Sequence, residues 1–172
     1  MGVLALAGVA ASLWAARGVE GAFGAALALT ALTIAAIDAR EHIIPDGLTL
    51  LAFALGVGSL AAIYGRDALP PIVDALTRAA AMAALFWAFR AAYGAFRGRE
   101  GMGLGDVKLA AVAGVWLEWT QLPIAVEIAA VAGLGYVLAR RWAFGEPVDG
   151  LAKLPFGAFF APAIWLTWLV WR

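Results

Sequence analysis

Polar residues in this chain gather in short clusters, and between the clusters the sequence is almost continuously apolar. The lengths of the apolar runs and the breaks between them predict seven helices. The first covers 2–16 and stops at Arg17-Gly18-Val19-Glu20-Gly21. It has no basic leader in front of it, so it reads as a helix and not as a cleaved signal. The second covers 22–37 and ends at the polar cluster Asp38-Ala39-Arg40-Glu41-His42. Pro45 forbids helix continuation and pushes Ile44 towards an extended backbone. Asp46 is placed to cap a third helix over 47–64, and Gly65-Arg66-Asp67 with Pro70-Pro71 form a loop. A fourth helix starts within 72–78 and ends near Phe96, with Asp74 and Arg78 four apart on one face, where they can pair. The last three helices cover 106–118, 122–140 and 155–171, with a polar loop from Arg140-Arg141 to Lys153. Pro123 suits the first turn of the sixth.

Composition decides where such helices live. Of 172 residues, 65% are hydrophobic and 14% charged, well short of the quarter usual in soluble domains. The runs are long and rich in Ala and Leu, unlike the short alternating segments of a membrane β-barrel. The expected fold is therefore an all-α polytopic membrane protein in one domain over 1–172, with about seven transmembrane helices and the lipid bilayer as partner. A formal net charge of zero gives no electrostatic case for nucleic acid. The chain has no cysteine and one histidine, which excludes disulfides, cysteine nucleophiles, thiolate metal sites and histidine metal clusters. No cofactor is expected; carboxylate chemistry remains.

Basic residues orient the helices. With seven crossings, Arg40, Arg90, Arg97, Arg99, Lys108, Arg140, Arg141 and Lys153 fall on one side, against Arg17, Arg66, Arg78 and Arg172 on the other. The first side is expected to face the cytoplasm. Asp38 closes the second helix and Asp106 opens the fifth, so both lie on that side. At about 1.5 Å per residue the fifth helix covers about 20 Å against about 30 Å of hydrocarbon. If its far end reaches the opposite surface, Asp106 sits below the near one.

Gly101-Met102-Gly103-Leu104-Gly105-Asp106-Val107-Lys108 is the stretch that invites chemistry. Glycines let a backbone turn sharply and let another backbone approach. Gly103 and Gly105 read as clearance for a substrate strand beside Asp106. An ionisable residue at membrane depth marks a functional site by default. Two carboxylates sharing a site cannot both ionise cheaply, so an Asp38–Asp106 pair would hold one proton. The ionised member would take a proton from water attacking an amide carbonyl, and the protonated one would donate to the carbonyl oxygen. Either aspartate can fill either role, since a coupled pair titrates as a unit.

Ile37-Asp38 followed by Ile44-Pro45-Asp46, the stretch Gly101–Leu109, and Lys153-Leu154-Pro155-Phe156-Gly157-Ala158-Phe159 keep the order and character of the type IV prepilin peptidases, which this chain resembles from about residue 22 to 171. These are aspartic membrane proteases of the GxGD class, alongside the preflagellin peptidases and presenilins. The resemblance implies Asp38 and Asp106 as the catalytic residues. It implies cleavage of a short basic leader from prepilin or pseudopilin-like substrates at the cytoplasmic face of the cell's inner membrane. Full-length bacterial enzymes of this type carry a cytoplasmic insert with paired Cys-x-x-Cys motifs, linked to zinc and N-methylation. This chain has neither, so it resembles a peptidase-only form, without expected methyl transfer or zinc.

Other residues admit two readings each. His42 follows Asp38 by four and is either near the pair or a solvated loop residue. Asp46 is a cap or takes part in chemistry. Lys108 turns towards Asp106, towards a substrate carboxylate, or is a cytoplasmic-side charge. Arg40 and Glu41 are interfacial charges, and Glu41 could help hold a cationic leader. Glu127, inside the sixth helix, is a structural hydrogen-bonding residue or part of a proton path. A small proton-coupled transporter using Asp38, Asp106 and Glu127 as a relay is the alternative function, and a non-catalytic scaffold a third. The tryptophans cluster near predicted helix ends as an interface belt, and Ala129, Ala130, Ala132 and Gly133 allow close helix packing.

Overall fold

The structure, a computed structural model, describes residues 2–98, 101–144 and 154–172. Arg99, Lys153 and most of the polar loop before α7, which entered the orientation reading, lie outside the described residues. Among those described there are seven α-helices and no strand. They are α1 (Gly2–Ala15), α2 (Val19–Glu41), α3 (Asp46–Tyr64), α4 (Leu69–Arg97), α5 (Leu104–Trp116), α6 (Leu122–Phe144) and α7 (Phe156–Val170), with a 3-10 turn at Gly65–Asp67 after α3.

Several boundaries differ from the expectation, and three of the differences have a clear local reason. α2 does not stop at Asp38. It continues to Glu41 and ends where His42 turns left-handed at φ 55°, its N–H bonding the Asp38 carbonyl. Polar residues here mark the exposed end of a helix, not a break in it. α4 begins at Leu69 and takes Pro70 and Pro71 into its first turn, not into a loop. The first N–H groups of a helix have no partner within it, so proline costs no hydrogen bond there. α3 starts after Pro45, extended at φ −67° and ψ 128°, with no side-chain cap. Asp46 therefore does not cap it; its carboxylate pairs with Lys108 Nζ of α5 at 2.6 Å.

Four segments are long and apolar enough to cross a membrane: Val19–Glu41, Asp46–Asp67, Leu69–Arg97 and Leu122–Ala143. α1 and α7 are apolar but shorter, and α5 has 13 residues. The seven helices thus stand as helices, while four of them meet the length of a crossing.

The short α5 is the centre of the bundle. It packs against α3, α4, α6 and α7, and Leu109, Ala110 and Val112 to Trp116 are all buried. Its neighbours approach through glycine. A Cβ at Gly114 would collide with the backbone of Ala79 on α4, and one at Gly56 of α3 would lie 2.5 Å from Val115 Cγ1. Trp116 donates its indole N–H to the Ala52 carbonyl of α3 at 2.8 Å. At the C-terminal end of α5, the buried Arg78 donates Nε to the Gly114 carbonyl at 3.1 Å. Its guanidinium also pairs with Glu118 at 3.0 Å and with Asp74, four residues back, as the spacing predicts. α1 is pinned separately: Trp165 of α7 donates to Ser12 Oγ, which donates to the Gly8 carbonyl.

Candidate active site

Asp38 and Asp106 are both buried in a structure whose surface carries most of the charge. Asp38 occupies the last turn of α2, on the face turned to α7. Its Oδ2 accepts the Ala158 N–H at 2.8 Å, in the first turn of α7, a donor that also reaches the Pro155 carbonyl at 3.1 Å. Asp106 sits in the first turn of its own helix, where its Oδ2 accepts the N–H of Gly103, the residue before α5, at 3.1 Å. Each carboxylate thus rests at a helix N-terminus, where the helix dipole favours negative charge. The charge of Asp38 is felt at Asp106, after burial and the Gly103 N–H, which act on it more strongly. Below them the bundle is apolar: Ile34 on α2, Leu109 on α5 and Ile164 on α7 are each 1% exposed.

The glycine stretch is shaped by three different contacts. Gly101 lies against the ring of Tyr93, where a Cβ would overlap it. Arg90 Nε donates to the Met102 carbonyl at 3.0 Å. A Cβ at Gly105 would lie 2.8 Å from Ile44 Cβ, so the space beside Gly105 is filled by a side chain of this chain. Gly103 is roomier, since a Cβ there would meet Asp106 Oδ2 at 3.5 Å, an ordinary contact.

The other candidates lie around this centre. Glu41 and His42 are exposed at the end of α2, with His42 in electrostatic reach of Asp38. Lys108 turns to Asp46, not to Asp106. Glu127 is exposed in the second turn of α6, which starts beyond the C-terminal end of α5, so it lies towards the opposite end of the bundle from Asp106. That placement does not join it to a relay with the two aspartates. Among the described residues, no group of three or more His, Cys, Asp or Glu is arranged to hold a metal ion.

Two contributions to the site escaped sequence reasoning. The Ala158 N–H on Asp38 was foreshadowed by the Pro155-Phe156-Gly157 helix start, because a helix start presents free donors to an anion. Ile44 had no such signal: an isoleucine in an apolar chain looks like any other.

The family model described as "Type IV leader peptidase family" matches residues 25–138. Proteins named "Prepilin leader peptidase/N-methyltransferase" are similar over most of this chain. The one from Burkholderia pseudomallei (strain K96243) is 38% identical over 169 residues, 92% of this chain and 50% of its own length. That of Aeromonas salmonicida is 36% identical over 86% of this chain and 49% of its own length. That of Dichelobacter nodosus is 34% identical over 81% and 46%. The chain spans about half the length of these relatives. No solved structure matches it.

Proposed function

Since the chain belongs to the type IV leader peptidase family, we propose that it is a membrane-embedded aspartic endopeptidase that removes the basic leader of prepilin or pseudopilin-like proteins. One observation carries the reading. Two buried carboxylates from distant helices stand at one end of the bundle, each on a helix N-terminus, with the single side chain of Ile44 against the glycine beside each.

The chemistry follows from that proximity. The pair holds a single proton between pH regimes where both or neither is charged. The ionised carboxylate removes a proton from water as the water oxygen bonds to the scissile carbonyl carbon. The protonated one donates to the carbonyl oxygen. Collapse of the tetrahedral intermediate breaks the C–N bond and returns a proton to the leaving amine. The N–H donors of Ala158 and Gly103 hold the carboxylates in place throughout. The apolar floor of Ile34, Leu109 and Ile164 strengthens these interactions by keeping the local dielectric low.

The apolar helices and the bacterial family support an inner-membrane protein. We assign the carboxylate end to the cytoplasmic face from the excess of basic residues there. A cationic leader would remain on that side, with Glu41 exposed nearby to attract it, while the apolar pilin helix lies in lipid. Gly103, where a Cβ would meet only ordinary contacts, is the point where the substrate backbone approaches Asp106. Gly105 serves the same site by admitting Ile44. We carry over leader cleavage alone, not methyl transfer.

The test is co-expression with a prepilin and mass spectrometry of the mature N-terminus. A processed pilin with the wild-type chain, and none with folded Asp38→Asn or Asp106→Asn, supports the reading. Full processing by either folded variant removes that aspartate from the pair.

A further inference from the structure

Ile44 touches both halves of the site. It lies on the segment between α2 and α3, and its side chain is wedged between two glycines from opposite sides of the carboxylate pair. Gly105 immediately precedes Asp106, and a Cβ there would come within 2.8 Å of Ile44 Cβ and 3.2 Å of its Cδ1. Gly157 stands in the first turn of α7, next to the Ala158 N–H that holds Asp38. A Cβ on Gly157 would lie 2.6 Å from Ile44 Cδ1 and 3.0 Å from Asp38 Oδ2. No residue larger than glycine fits either position while Ile44 stays where it is.

The segment bearing Ile44 is itself held. His42 ends α2 in a left-handed turn, Pro45 fixes the start of α3, and Asp46 is tied to Lys108 in the first turns of α5. Ile44 also packs on the buried core, so its position is set from below.

We propose that Ile44 is the positioning residue of the carboxylate pair. Keyed into Gly105 and Gly157, it fixes the gap between the start of α5, which carries Asp106, and the start of α7, which holds Asp38. The gap matters because the carboxylates must lie close enough to share a proton and far enough apart to admit a water and a carbonyl group. Misplacing reacting groups by about 1 Å costs about a hundredfold in rate. The catalytic meaning of this spacer rests on the peptidase reading; the spacing itself does not.

Two measurements on the full chain in detergent separate these. The chain has no cysteine, so spin labels on Leu104→Cys and Leu154→Cys, both exposed and next to the two helix starts, report the gap directly. In Ile44→Ala the distance distribution is expected to shift and broaden. The kcat for leader cleavage is expected to fall between about tenfold and a hundredfold with KM nearly unchanged. Ile44→Val, which loses the Cδ1 that meets Gly157, falls between parent and Ile44→Ala. Gly157→Ala alone also lowers kcat. Adding Gly157→Ala to Ile44→Ala restores at least part of both readouts, because the new methyl refills the vacated space. An unchanged label distribution in Ile44→Ala, or a kcat within about twofold of the parent, overturns the inference. Should Ile44→Ala not fold, Ile44→Val and Gly157→Ala decide by the same two readouts. A parent chain that cleaves no prepilin refutes the peptidase reading, and the label distances alone then decide whether Ile44 sets the gap.

Discussion

The two ends of α5 carry charge in opposite ways. At the C-terminal end, a buried guanidinium meets two carboxylates and a helix carbonyl, and every attraction points inward. A cation there also suits the helix dipole. At the N-terminal end, two buried carboxylates each accept a backbone N–H, Asp106 from Gly103 and Asp38 from Ala158. At the first end the buried cation is fully compensated by its partners, and its role is to hold. The second is held by backbone N–H groups instead of a side-chain cation among the contacts described, which suits the proton exchange proposed for it. In one helix of 13 residues, opposite charges mark the anchor, and two carboxylates mark the end to which the proposed reading assigns the chemistry.

Asp106→Asn gives the largest expected effect. It removes the shared proton, so cleavage should fall about a thousandfold or more, while the melting temperature holds or rises because a neutral amide replaces a buried carboxylate. A parallel loss of folding would make Asp106 an anchor as well and break the contrast. Arg78→Met should do the reverse. It strands Asp74, Glu118 and the Gly114 carbonyl and should cost about 2 kcal/mol of stability. Both carboxylates are more than half exposed, which limits the loss. Activity per folded molecule should change far less than in Asp106→Asn; thermal unfolding in detergent beside a cleavage assay separates the two.

Gly114→Ala probes the same anchor sterically. The added methyl meets the backbone of Ala79, which cannot swing aside. A cost of about 1–3 kcal/mol is expected, and an undiminished melting temperature would show that α4 and α5 do not depend on that approach. The smallest effect belongs to Lys108→Gln. Its partner Asp46 is largely exposed, so stability should drop by less than about 1 kcal/mol, and less still at high salt. A larger loss would mean that the carboxylate end is braced by charge after all.

Much of this contrast was legible before any coordinates. The seven helices follow from apolar runs, because an apolar stretch in lipid has few alternatives to a helix. Asp38 and Asp106 stood out because carboxylates are costly beside such runs. The Asp74–Arg78 pair was legible because four residues make one turn, whereas Glu118, forty residues on, carried no local signal. Pro70-Pro71 misled because proline breaks a helix interior yet suits its first turn. Asp46 misled in a related way: a residue fit to cap had a lysine from another helix within reach. Ile44 was illegible for a deeper reason. Its importance lies in the two glycines it fills, and a glycine in sequence does not say which side chain needs the space.

A final consequence follows from the length of α5. Its 13 residues make about 20 Å of rise. The arginine clamp fastens its far end beside the exposed Glu118; if that end lies at one bilayer surface, as the proposed topology has it, the shortfall falls on the aspartate side. Hydrolysis would then draw on a shallow well of solvent reaching down from that surface, and the depth of the well would scale with the film around it. On the peptidase reading, longer acyl chains should deepen it and slow turnover, and shorter ones should do the reverse.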